Sequence, residues 1–181
     1  MSAEGSLSHP DKPIPEKNTN NLCYIGLGSN LDTPTRHIEQ AIQTLKTDPS
    51  TQAIRVSPLY TNSAIGPGEQ PDYVNGVAEL ITTHSPQSLL TWLQAIEADH
   101  GRQRTNEQWS ARPLDLDILL FNQLQLATAS LTIPHPRLHE RSFVVGPLLD
   151  LNPNLTLPDG TPLEHYSTVL AAHPLHVLAQ P

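Results

Sequence analysis

The run Arg112-Pro113-Leu114-Asp115-Leu116-Asp117-Ile118-Leu119-Leu120-Phe121 constrains the fold more than any other stretch of the chain. Apart from its acids it is apolar and β-prone, so it reads as a buried strand. Side chains alternate across a strand, so Asp115 and Asp117 share one face. Leu116, Ile118 and Leu120 are expected on the other face, in the core. Two adjacent carboxylates in such a strand repel, and one is held protonated unless a cation intervenes. Oxygen ligands at this spacing suit Mg²⁺, which takes few protein ligands when the phosphates of a substrate supply the rest. The competing reading is a strand end whose acids are simply solvated, because a bare pair of this kind occurs often.

The distribution of cations favours the metal reading. The chain has ten Lys and Arg, of which seven are Arg, and five of these fall in one segment: Arg102, Arg104, Arg112, Arg137 and Arg141. The lysines, Lys12, Lys17 and Lys46, all lie earlier. Arg is preferred over Lys where a planar fork grips phosphate oxygens at two points. Arg also pairs with surface carboxylates for little net energy. Gathering of scarce cations around an acidic pair, in a chain of formal charge −8, points to Mg²⁺ on two Asp with a polyphosphate held by Arg.

A chain of 181 residues suits one domain with a proper core. The charge of −8 opposes a general nucleic-acid binder, which displays a broad basic face. No stretch is apolar and long enough to span a bilayer, and the first twenty residues hold no apolar signal core. The single cysteine, Cys23, excludes an intrachain disulfide and fits a reducing compartment. A cytoplasmic protein without membrane or nucleic-acid partners, acting as a monomer, is expected.

Residues 1–20 are rich in Pro, Ser, Asn and charge, and read as a disordered extension ahead of one folded domain over 21–181. Leu22 to Gly28 reads as a strand. Thr33-Pro34 reads as an N-cap with Pro at the first helical position, and Ile38, Ala41, Ile42 and Leu45 supply an amphipathic stripe. A strand is expected over 53–60, interrupted near Pro58, then a Gly/Pro-rich loop over 61–72 and a strand over 73–82. Ser85-Pro86 opens a second helix with Leu89, Trp92, Leu93 and Ile96 on one face, ending near Gly101. Residues 102–111 are polar and read as a mobile loop before the Asp-bearing strand. A short apolar segment over 124–133 leads to Pro134-His135-Pro136, and a last helix is expected over 138–149. The core order β-α-β-β-α-β predicts an α+β, ferredoxin-like plait, an antiparallel sheet with two helices on one face, carrying the last helix as an addition.

Several stretches taken together resemble one family, the hydroxymethyldihydropterin pyrophosphokinases of the folate pathway. They are Tyr24 to Leu31 (YIGLGSNL), Gln70 to Asn75 (QPDYVN), Ile96-Glu97, Gly101 to Arg104 (GRQR), Trp109, Arg112 to Phe121, Ile133 to Arg137 (IPHPR) and Arg141-Ser142-Phe143. Each piece alone is weak, and the ordered set, spanning roughly residues 22 to 160, is specific.

The resemblance implies transfer of the terminal pyrophosphoryl group of ATP to the hydroxymethyl oxygen of a reduced pterin, releasing AMP. It implies that Asp115 and Asp117 bridge two Mg²⁺ ions and that Arg102 and Arg112 complete the catalytic set. Arg104, His135 and Arg141 match phosphate-side positions, Gln94 and Glu97 helix positions facing the nucleotide, and Ile118 and Thr132 positions whose backbone meets adenine. Tyr73 and Phe143 match an aromatic pair around the pterin and Asn75 a hydrogen-bonding residue at its edge. Gly28, Asn62, Ser63 and Ile65 line the substrate side, and Trp109 touches both substrates. His135, set between two prolines, is expected to meet a phosphate as a protonated imidazole. Asn62-Ser63-Ala64, Gln108 and Ala111 depart from common family residues in ways that affect loops rather than chemistry.

A nucleotidyltransferase also combines Gly-Ser with a D-x-D strand, but places them close in sequence, whereas Gly28-Ser29 and Asp115 are far apart here. A ferredoxin-like RNA-binding module uses a basic sheet with exposed aromatics, which the −8 charge and the acidic strand oppose.

Overall fold

A computed structural model of the chain describes residues 19–63, 71–102 and 112–178. The extension expected over 1–20 lies, except for Thr19 and Asn20, outside the described residues.

Nine residues of β1 (Asn21–Ser29) open the fold, followed by α1 (Pro34–Thr47), β2 (Thr51–Val56), β3 (Tyr60–Asn62), β4 (Tyr73–Thr82), α2 (Pro86–Asp99) and β5 (Asp115–Phe121). β1 sits between β4 and β5, and β4 pairs on its other side with β2 and then β3, all antiparallel. This is the ferredoxin-like plait expected from the element order. The strand expected over 53–60 is two strands, broken at the proline as foreseen. Thr61 and Asn62, expected in a loop, instead extend β3 by pairing with Val74 and Tyr73.

One face of the sheet packs Cys23, Ile25 and Leu27 against Ile38, Leu45, Leu89, Leu93 and Ile96 of α1 and α2. The other face packs Tyr24, Val77, Leu119 and Leu120 against Val144, Val145 and Leu148. Those residues belong to α3 (Ser142–Leu151), so the last helix covers the opposite face from α1 and α2. It begins later than expected. Residues Leu138–Glu140 form a separate 3₁₀ turn, and Arg141 is extended (φ −114°, ψ 113°), which breaks the run. The 124–133 segment folds as a small hairpin, β6 (Leu126–Ala127) with β7 (Thr132–Ile133). After α3 come a 3₁₀ turn (Leu163–Tyr166), α4 (Thr168–Ala172) and β8 (His176–Val177), which adds to the sheet edge at β3.

Two local expectations are corrected. Leu120 does not share a face with Leu116 and Ile118. Tyr24 pairs with Leu120 but Ile25 with Ile118, so Leu119 is surplus in the ladder, a β-bulge that places Leu119 and Leu120 on the same side. Thr33 precedes α1 but does not cap it: its φ is 67° and its hydroxyl donates to the Asp32 carbonyl. Pro34 at the first helical position does the helix-starting work by its fixed φ. Ser85 caps α2 as expected, accepting from the Ser88 N–H at 3.2 Å.

Candidate active site

Cross-strand register sets the groundwork. Gly28 of β1 lies opposite Asn75 of β4 and Asp115 of β5; Gly26 lies opposite Val77 and Asp117. Opposed residues in an antiparallel ladder share a face. Both acids therefore stand on one face as expected, next to strand positions without side chains. A Cβ on Gly28 would sit 3.1 Å from Asn75 Oδ1 and 3.8 Å from Asp115 Cβ. Two strand spacings put the Asn75 and Asp115 backbones about 10 Å apart, with a glycine floor between an amide and a carboxylate.

Asp115 is gripped by two arginines. Arg102 Nη1 donates to Asp115 Oδ1 at 2.5 Å and Arg112 Nη1 to Oδ2 at 3.1 Å. The arginines reach it by different routes. α2 ends at Asp99 with His100 as its C-cap, and Gly101, with φ 83°, turns the chain so that the Arg102 N–H donates back to the Glu97 carbonyl at 3.1 Å. Glu97 is 3% exposed, accepts from the Leu116 N–H at 2.7 Å, and also receives Arg102 Nη1. Glu97 thus ties α2 to β5 and sets the Arg102 side chain, a role its position on α2 alone did not disclose. Gln94 lies one turn earlier on the same helix, partly buried.

Asp117 faces a second pair of basic groups. His135 Nε2 and Arg141 Nη1 each lie 3.8 Å from Asp117 Oδ2. Desolvation in the groove, and next the Asp115 charge, push the Asp117 carboxyl up to about 7. His135 moves the other way: burial, then the neighbouring Arg141 charge, lower it to about 4. In the free protein the imidazole is thus held neutral. Its Nδ1 accepts from the Arg137 N–H at 3.1 Å, which leaves the proton on Nε2, directed at Asp117. The His135 N–H bonds the Leu119 carbonyl at 2.9 Å, and the Ile133–Pro134 bond in this loop is cis.

The residues expected on the substrate side gather towards β3 and α3. Asn75 Nδ2 donates to Asn62 Oδ1 at 2.6 Å, and Asn62 Nδ2 to the Ser63 carbonyl at 2.9 Å. Tyr73, opposite Asn62, is half-buried, and burial foremost raises its phenol. Phe143 opens α3, and the Arg141 guanidinium lies 5.7 Å from its ring centre, so the phosphate-side and ring-side groups touch. Ile118 is buried with its backbone paired to Ile25, and Thr132 is exposed on β7. Ile65, Arg104 and Trp109, with the loop departures Ala64, Gln108 and Ala111, lie outside the described residues.

Ser29 and Asn30 shape the site without having been singled out. Both are buried. The Asn30 N–H donates to the Arg112 carbonyl at 3.1 Å while Asn30 Oδ1 accepts the Arg112 N–H at 2.7 Å, and Ser29 Oγ donates to the Pro113 carbonyl at 2.6 Å. They clamp the segment that delivers Arg112. The available signal was two polar residues ending an apolar strand, since buried polar groups need partners.

The donor chemistry fits Mg²⁺. Two carboxylates on one face, one of them resisting ionisation, leave negative charge for a hard cation. Among the described residues no third acidic, His or Cys ligand completes a metal cluster, which suits an ion whose other ligands are phosphate oxygens and water. Paired acids, clustered arginines and a separate amide and aromatic end on one face of a ferredoxin-like plait suit a phosphoryl-type transferase. The family is settled by comparison. The model of the 7,8-dihydro-6-hydroxymethylpterin-pyrophosphokinase family matches residues 24–153, and this chain belongs to that family. It is 46% identical over 151 residues to the 2-amino-4-hydroxy-6-hydroxymethyldihydropteridine pyrophosphokinase of Pseudomonas aeruginosa, covering 83% of this chain and 91% of that one. It is 42% identical to the Haemophilus influenzae enzyme of the same name, covering 76% and 85%. Among solved structures, a variant of Plasmodium falciparum HPPK-DHPS crystallised with pteroate superposes with a TM-score of 0.65 at 13% identity, over 87% of this chain and 42% of that one. That likeness carries the fold alone.

Proposed function

We propose that this groove carries out its family's reaction with two Mg²⁺ ions held by Asp115 and Asp117. The reaction is transfer of the pyrophosphoryl group of ATP to the hydroxymethyl group of 6-hydroxymethyl-7,8-dihydropterin, giving the pterin diphosphate and AMP in folate biosynthesis. The observation that carries the site assignment is the row Asn75–Gly28–Asp115, which brings an amide and a carboxylate onto one face of the sheet with a glycine between them.

Asp115 and Asp117 would hold Mg²⁺, which would supply charge neutralisation and orientation of the triphosphate. The chain's own groups do the rest. Arg102 and Arg112 pair with Asp115, and their planar forks are of the kind that would grip phosphate oxygens beside it. His135 offers a neutral Nε2–H donor, and Arg141 a charge, on the Asp117 side. Asn75 and Asn62 present amide groups to the edge of the pterin, and Tyr73 and Phe143 present rings to its faces. No covalent nucleophile is required for a loose phosphoryl-type transition state. Among the described residues the only large exposed hydrophobics are Leu22 and Val177, which supports action as a monomer, and the lone, buried Cys23 thiol fits a cytoplasmic setting.

The test is incubation with ATP, Mg²⁺ and the reduced hydroxymethylpterin, with product analysis. AMP and a pterin diphosphate are expected. Release of inorganic pyrophosphate with a nucleotidylated pterin would instead identify a nucleotidyltransferase.

A further inference from the structure

The segment after residue 167 lies beyond the family match, which ends at 153, yet it touches both elements that present the pterin side of the groove. On one side β8 pairs with β3, His176 opposite Thr61 and Val177 opposite Tyr60, and the Leu178 N–H donates to the Leu59 carbonyl at 2.8 Å. β3 is three residues long and pairs with β4 only over Tyr60–Asn62. So short an edge strand is weakly held by one neighbour. Asn62, whose amide oxygen receives Asn75, is its last residue. On the other side the segment seats on α3. A Cβ on Gly146 would lie 3.0 Å from Leu175 Cδ1 and 3.2 Å from Leu170 Cδ2, so this glycine is a notch into which both leucines fit. Phe143 stands one turn earlier on the same helix. Between these seats is a cavity of about 390 Å³, walled by Asn62 and Ser63 of the β3 end, Ser142 of α3, and His173 and His176 of the segment.

We infer that residues 168–178 are a positioning strap for the pterin subsite: by bridging β3 and α3 they fix the distance between Asn62 and Phe143, with Leu170, Leu175 and the Gly146 notch as the residues that act through them. The inference rests on the reading that Asn62 and Phe143 serve the pterin. The contacts of the strap given above fall on β3 and α3 rather than on Asp115 or Asp117, so its influence is directed at one substrate. Loosening it costs pterin affinity through lost pre-organisation, while nucleotide binding is untouched.

The test compares the full chain with Leu170→Ala/Leu175→Ala, Gly146→Leu and a chain ending at Ser167, each checked for a native circular dichroism spectrum. KM for the pterin should rise about tenfold or more, while KM for ATP stays within about twofold and kcat at saturating pterin within about threefold. A parallel rise in both KM values, a collapse of kcat, or an unchanged pterin KM would each overturn the strap. Asn62→Ala and Phe143→Ala are measured alongside. If neither raises the pterin KM, the pterin-side assignment has failed; if both do and the strap variants do not, the strap alone has failed. Should the variants not fold, the native chain decides: amide exchange of Leu178 and of residues 60–62 should slow on binding the pterin and stay unchanged with an ATP analogue, and insensitivity to pterin would overturn the inference.

Discussion

Asp117 is the residue whose environment conflicts most with its own charge, and the conflict has a sign. Its folded-state carboxyl is raised from 3.8 to about 7. The free protein therefore has the benefit of the neutral acid in full below 3.8 and loses it as pH rises through 7. Asp117→Asn should stabilise the metal-free protein at pH 8, and the gain should vanish by pH 4. Solvent screening at a side chain 39% exposed keeps the gain on the order of 1 kcal/mol, or about 2–4 °C in Tm. Thermal unfolding at the two pH values checks it. The same substitution should lower kcat by about 10³-fold, or ~4 kcal/mol of transition-state stabilisation. His135 titrates in the opposite sense. Its folded value of about 4 lies below the ordinary 6.5, so its contribution is complete above 6.5 and is lost as pH falls towards 4. In the free protein its ring resonances should keep their neutral position at pH 5.5. The shared face of the two acids was legible, because strand alternation is a local rule. The neutrality of His135 was not, because the burial of its ring, and next the approach of Arg141, arise only in the folded chain.

At the scale of elements, strands and helices emerged where apolar periodicity and punctuation agreed: Ser85-Pro86 starts α2, Pro58 divides β2 from β3, and the plait follows from their order. Misreadings occurred where backbone geometry overrode composition. Thr33 has the chemistry of a cap but a left-handed conformation, and Arg141 looks helical but is extended. The residues after α3 carry too little periodicity to announce β8, whose pairing is decided by the edge β3 offers. β1 supplies the sharpest element-level prediction. Its glycines keep the groove floor open, so Gly28→Ala would press a methyl to within 3.1 Å of Asn75 Oδ1 and displace the amide. Pterin affinity should fall several-fold, on the order of 1 kcal/mol, with affinity for an ATP analogue unchanged; calorimetric titration of each ligand separates the two.

Among the described residues the sheet divides the buried side chains into two cores, one on each of its faces. Leu116, Ile118 and Phe121 belong with Leu93 and Ile96, whereas Leu119 and Leu120 belong with Val144 and Leu148. Double-mutant cycles should respect the partition. Leu120→Ala should couple with Val144→Ala by about 0.5–3 kcal/mol and add with Leu93→Ala within about 0.5 kcal/mol; denaturant unfolding measures both. Sequence alternation predicted a single core partner for Leu116, Ile118 and Leu120, and the surplus residue of β5 is why that was incomplete. That residue also does something a tally of buried leucines would miss. Leu119 is the one whose carbonyl receives the His135 N–H, so the extra unit of strand length becomes a mooring for the loop that brings the imidazole to Asp117. Deleting Leu119 would leave Leu120 and Phe121 on their own faces, yet cast that loop adrift. At this point of the chain, spacing rather than side-chain identity is the quantity under constraint, and a one-residue deletion is a more searching probe of the site than any substitution at the same position.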